Sequence, residues 1–181
     1  MNRVPLIDRM HTTPERQAVL DEIHAAFGAT PAMFRAVAQS PAALRSMWGS
    51  FQALGGGTLG ARLGEQIAVA VADRNACGYC LAAHTMLGQK AGASAAEMAA
   101  AQGGESSDAQ TRAALRFALR VVDARGQVGG ADVQALRDAC FSDEAVVEII
   151  AHVALNLFTN YINLALDVPV DFPAVKLRHA A

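Results

Sequence analysis

Rings and charges are both scarce in this chain of 181 residues: Phe, Trp and Tyr make up 6% and Asp, Glu, Lys and Arg 18%. The formal net charge is only -2 and no Lys/Arg cluster appears, which argues against a nucleic-acid partner. Three cysteines are too few, and odd in number, for a secreted disulfide framework. The opening stretch MNRVPLIDRMHTTPERQ lacks the apolar run of a signal peptide. The most apolar stretch, residues 145–158, is interrupted by Glu148, His152 and Asn156, so no transmembrane helix is expected. The expected setting is a reducing, cytoplasmic one. There, two cysteines close together point to redox or metal chemistry rather than to a structural bridge.

What the chain does have is 52% hydrophobic residues, carried mostly by Ala, Leu and Val. That composition suits helices packed closely through small side chains. A chain this long buries roughly 70% of its unfolded surface and needs no disulfide or metal to hold a core. Start and stop signals divide it into about eight or nine helices. Thr12-Thr13-Pro14-Glu15 reads as a capping box opening the first helix, which Gly28 ends. Thr30-Pro31 and Ser40-Pro41 repeat the cap-then-proline start, and Ser94 with Glu97 gives another capping box. No strand-like alternation stands out. The expectation is an all-α bundle forming a single domain over residues 1–181.

One stretch carries chemistry: Glu65, then Cys77, Cys80 and His84, spaced E-x11-C-x2-C-x3-H within residues 61–92. The corner at Asn75-Ala76 places both cysteines in the first turn of a helix, where free N–H groups and the dipole favour a thiolate. His84, one turn beyond Cys80, can take its proton, and Glu65 on the preceding antiparallel helix can orient His84. Spacing alone leaves the attacking cysteine open. The helix N-terminus favours Cys77, whereas His84 is about 6 Å along the axis from Cys80 and roughly 10 Å from Cys77.

The pattern resembles the AhpD-like alkylhydroperoxidases of the carboxymuconolactone decarboxylase superfamily, most strongly over residues 44–92. The late stretch VALNLFTNYINLALDVPVDFP is similar to a subgroup labelled peroxidase-related. The resemblance implies an all-α trimer or hexamer that reduces hydroperoxides with electrons from a lipoyl or thioredoxin-like dithiol protein, without a cofactor. It further implies Cys80 as the peroxidatic thiolate, Cys77 as the resolving thiol, His84 as base and Glu65 as head of a proton relay. Members of the family often carry a second His between the cysteines, where this chain has Tyr79, a poor base at neutral pH.

Other readings of the same residues stay open. Cys77, Cys80 and His84 are three of four ligands for zinc, with Glu65, Cys140 or His152 as the fourth. The thiol pair also suits a non-enzymatic redox-sensing oligomer, and the fold would suit a γ-carboxymuconolactone decarboxylase, though that activity does not call for a CxxC pair. Cys140 is expected to be packed or partly buried. His152 reads as a hydrogen-bonded, partly buried histidine, or as a supporting residue behind the site or at a subunit contact. Asn156, Asn160 and Asn163 form a polar ladder expected to bond between helices or subunits. Met47, Trp48 and Phe51 read as core or interface anchors. His11, His24 and His179 have no convergent partners.

Overall fold

The computed structural model describes residues 2–178; His179 lies outside them. The described residues form nine helices and no strand. They are α1 (Pro14–Phe27), α2 (Ala32–Val37), α3 (Pro41–Gly55), α4 (Gly60–Arg74), α5 (Gly78–Lys90), α6 (Ala95–Ala101), α7 (Ala109–Asp123), α8 (Gly130–Asp138) and α9 (Asp143–Leu166).

Several start signals work as the sequence implies. Ser40 accepts a backbone N–H of the first turn of α3, and Ser94 with Glu97 forms the capping box; Asp108 and Ser142 cap α7 and α9 in the same way as Ser40. Two do not. Thr13 occupies the N-cap of α1 without a side-chain bond; Glu15 then falls at the second helical position, one short of the place a capping box needs, and pairs with Arg45 on α3. At α2 the cap comes from far along the chain: Asp171 accepts the N–H of Ala32 at 2.7 Å.

The bundle is organised around α4. From Gln66 to Asp73 every residue is buried, so this helix has no solvent face over two turns. Ala68, Ala70 and Ala72 let neighbouring helices approach closely. Its most extensive partner is α5, which returns antiparallel, and α9, α7 and α6 complete the surround. Met47 is fully buried and Trp48 nearly so. Together with Phe27, Phe34 and Phe51, Trp48 forms an aromatic group whose ring centroids lie 5.6–6.1 Å apart.

By length and composition α9 is long and apolar enough to cross a membrane, contrary to the expectation from Glu148, His152 and Asn156. Residues 149–166 contain no Asp, Glu, Lys or Arg. Its inner face nevertheless carries Asn156, Asn160 and Asn163 toward α4 and α5. Beyond α9 the chain is extended and straps the bundle: Asp171 caps α2, Phe172 packs on Tyr79, and the Arg178 N–H donates to buried Asp73.

Candidate active site

The turn between α4 and α5 builds the site. Asn75 caps α4 and Ala76 follows in the left-handed region at φ 54°. The Cys77 N–H then reaches back to the carbonyl of Ala72 at 2.9 Å, closing a Schellman-type turn. An alanine in this conformation costs about 1–2 kcal/mol relative to glycine. The turn makes Cys77 the N-cap of α5, its sulfur accepting the Cys80 N–H, so Cys77 sits just ahead of the helix and Cys80 within its first turn.

All four residues of the spacing motif converge. Both thiols are free and buried, with Cys77 Sγ 2.7 Å from Cys80 Sγ. A disulfide needs about 2.05 Å, so the pair closes with little movement. His84 Nδ1 bonds Glu65 Oε2 at 2.7 Å across the α4–α5 interface, leaving Nε2 as the ring nitrogen available to Cys80. Burial opposes charge on His84, but the adjacent Glu65 carboxylate prevails and holds its pKa above the ordinary value.

The asparagine ladder bonds between helices as expected, and its target is the thiol site. Asn163 donates its amide to Cys80 Sγ at 3.1 Å, and Asn160 faces the same sulfur while accepting from Asn75 at 2.9 Å. Turn spacing on α9 was legible, but the partner across the bundle was not. Burial raises the Cys80 pKa, yet the Cys77 thiol, the His84 charge and the Asn163 and Asn160 amides outweigh it and bring it down to about 7. Cys77 moves the other way, raised by donating to Cys80 and by burial. The environment therefore separates the two thiols into a thiolate and a protonated donor.

Cys80 and His84 lie at the floor of a cavity of about 380 Å³. Its walls include Phe27, Phe34, Phe51, Tyr79 and Phe172, half of the ten aromatic residues in a ring-poor chain. Rings this concentrated, beside one nucleophile, fit an apolar ligand. Tyr79 is held away from base chemistry: its hydroxyl accepts the Met33 N–H at 3.2 Å, and burial pushes its pKa up.

Other expectations change. Cys140 is exposed rather than packed, because it follows the last turn of α8 in the left-handed region at φ 66°. His152 is partly buried, but among the described residues neither ring nitrogen has a hydrogen-bond partner. Among the described residues no group of three His, Cys, Asp or Glu side chains is arranged to hold a metal ion.

Residues 39–124, which contain Glu65, Cys77, Cys80 and His84, match the model of the carboxymuconolactone decarboxylase family. No curated protein matches the chain. Among solved structures, an alkylhydroperoxidase AhpD core, a peroxidase-related protein from Ralstonia eutropha JMP134, aligns with a TM-score of 0.82 at 26% identity, covering 94% of this chain and 92% of its own. A peroxidase-related protein from Silicibacter sp. TM1040 aligns at 0.80 and 23% identity, covering 93% and 91%. The debrominase Bmp8, in complex with 2,3,4-tribromopyrrole, aligns at 0.78 and 21% identity, also covering 93% and 91%. The family match is centred on the α4–α5 site and the nine-helix fold is shared along nearly the whole length, so the chain is similar to the AhpD-like members of the carboxymuconolactone decarboxylase superfamily in both site and fold.

Proposed function

We propose that the protein is a thiol-dependent hydroperoxide reductase acting on apolar organic hydroperoxides. The observation that carries this reading is the Cys80 sulfur at the floor of the ring-lined cavity, with Cys77 Sγ 2.7 Å away. The Cys80 thiolate attacks the terminal peroxide oxygen and the O–O bond breaks. The departing alkoxide takes a proton from the His84 imidazolium, leaving an alcohol and a Cys80 sulfenic acid. Cys77 gives its proton to His84 and attacks the Cys80 sulfur, and the expelled hydroxide takes that proton to become water. The resulting disulfide is reopened by two electrons and two protons from an external dithiol, a lipoyl or thioredoxin-like protein. One hydroperoxide and one dithiol thus yield one alcohol, one water and one disulfide. We take the protein to be a homo-oligomer, a trimer or hexamer, and sedimentation velocity tests this directly.

The decisive experiment follows cumene hydroperoxide with dihydrolipoamide as donor. Multiple turnovers abolished by Cys80→Ser support the enzyme. A single oxidation event per chain supports a redox sensor instead.

A second reading is favoured by the aromatic cavity together with the debrominase relative: reductive dehalogenation of an aryl bromide. Here the aryl bromide and the two thiols give the debrominated arene, the Cys77–Cys80 disulfide, bromide and a proton. Bromide release from a bromopyrrole, without hydroperoxide consumption, would select this reading.

A further inference from the structure

His84 lines two cavities. Besides the ring-lined one, it borders a second cavity of about 140 Å³ together with Glu65, Gly64, His152 and Asn156. This space has room for a few water molecules. It also has polar groups that call for them. Asn156 is 3% exposed, and its Oδ1 is buried with no hydrogen-bond partner among the described residues. Neither His152 ring nitrogen has one either, among the described residues.

His152 is brought there by a close approach between α9 and α4. A Cβ at Gly64 would lie 3.0 Å from His152 Cε1, so glycine at this position lets the ring rest on α4 beside Glu65. The titratable groups facing the ring are Glu148 one turn earlier on α9, Glu65 on α4 and His84 on α5; α3 contributes Phe51, Leu54 and Gly55. Burial holds the His152 pKa below the ordinary histidine value, against the pull of the Glu148 and Glu65 carboxylates. His84 is pushed the other way by Glu65. The two histidines bordering this cavity are thus pushed in opposite directions, with Glu65 beside both.

A second histidine here answers a need of the thiol cycle. Each step moves a proton on or off His84, and a bound apolar substrate shuts water out of the front cavity. Tyr79, between the cysteines, is tied to Met33 and cannot serve. We propose that His152 is the outer member of the proton relay, passing protons between the Glu65–His84 pair and solvent through water held in this second cavity. The proposal rests on the thiol reading of the site, and its test separates the two.

The test uses the full chain with His152→Ala, which leaves room for a small base, and His152→Gln, which preserves bulk. Two reactions are followed in weak buffer. One is reduction of the preformed Cys77–Cys80 disulfide by dithiothreitol, which needs no peroxide; the other is hydroperoxide turnover. Both variants should slow by about tenfold, a modest general-base effect. Added imidazole should restore most of the rate in His152→Ala and leave the parent protein unchanged. Variants as fast as the parent, or slow ones that imidazole does not restore, overturn the relay. If the parent consumes no hydroperoxide, the peroxidase reading fails, while the imidazole response in disulfide reduction still decides the relay. If His152→Ala does not fold, a His152→Gln rate rising with buffer concentration supports the relay and a flat one overturns it.

Discussion

Asn163→Leu isolates the least expected contact of the site. The substitution keeps the number and branching of side-chain heavy atoms, removes the amide that donates to Cys80 Sγ at 3.1 Å, and deletes an Oδ1 that is buried without a partner among the described residues. A hydrogen bond to a charged group contributes about 1.5–3 kcal/mol, which at 1.36 kcal/mol per pH unit displaces the thiol midpoint by about one to two units. The Cys80 midpoint should therefore rise from about 7 toward its ordinary value of 9.0. At pH 7 the thiolate population falls by about five- to fiftyfold, while each thiolate becomes about three- to eightfold more nucleophilic as its basicity rises. The net slowing at pH 7 is only about two- to sixfold, and above both midpoints the variant reacts faster than the parent. The assay is iodoacetamide alkylation of the reduced protein against pH, in a Cys140→Ser background because Cys140 is exposed, with the modified cysteine mapped by mass spectrometry. A crossing of the two curves is the signature. Curves that superpose with a midpoint near 7, or a variant slower at every pH, would show that Asn163 does not stabilise the thiolate.

Three further perturbations test other parts of the reasoning. Glu65→Gln removes the charge that raises the His84 pKa; since a raised histidine contributes most below its ordinary value and loses this as pH rises through its folded value, denaturant titration should give a loss of about 2 kcal/mol at pH 6 and much less at pH 9. Glu148→Ala unties the α3–α4 loop, where that carboxylate accepts from the Thr58 N–H, the Thr58 hydroxyl and the Leu59 N–H, and should cost about 2 kcal/mol by the same measurement. Phe172→Ala removes a cavity wall that meets Tyr79 edge-on at 5.5 Å, so KM for cumene hydroperoxide should rise about tenfold while that for hydrogen peroxide stays unchanged.

The motif and the helices were readable because their determinants are local. Proline starts, Ser94 with Glu97 and the Asn75-Ala76 corner fix their own neighbourhoods, and a tight antiparallel return after α4 brings Glu65 onto His84. What stayed hidden depends on contacts far apart in the chain. Asn163 is 83 residues from Cys80, and Asp171 caps a helix 139 residues earlier. Nothing in the spacing of Asn156, Asn160 and Asn163 distinguishes a subunit seam from a thiolate lining. Cys140 misled for a related reason: an isolated cysteine carries no sign of the left-handed turn that turns it outward.

Tyr79 is where the two halves of the mechanism meet, and it can be tested alone. Its phenol accepts the Met33 N–H, bonds Asp171, and stands edge-on to Phe172 at 89°. Asp171 in turn accepts the Ala32 N–H at 2.7 Å. The residue thus joins the start of α2 to the terminal strap, which is a structural task although it sits between the two cysteines. Tyr79→Phe keeps the ring and leaves the buried Met33 N–H without that acceptor, so stability should fall by about 1–3 kcal/mol in denaturant titration. The Cys80 midpoint should remain at about 7, because its causes lie in Cys77, His84, Asn163 and Asn160. If Tyr79→Phe moves that midpoint as far as Asn163→Leu does, the phenol belongs to the thiolate environment. A proton route between the cysteines would then be open, and the need for His152 behind the site would disappear.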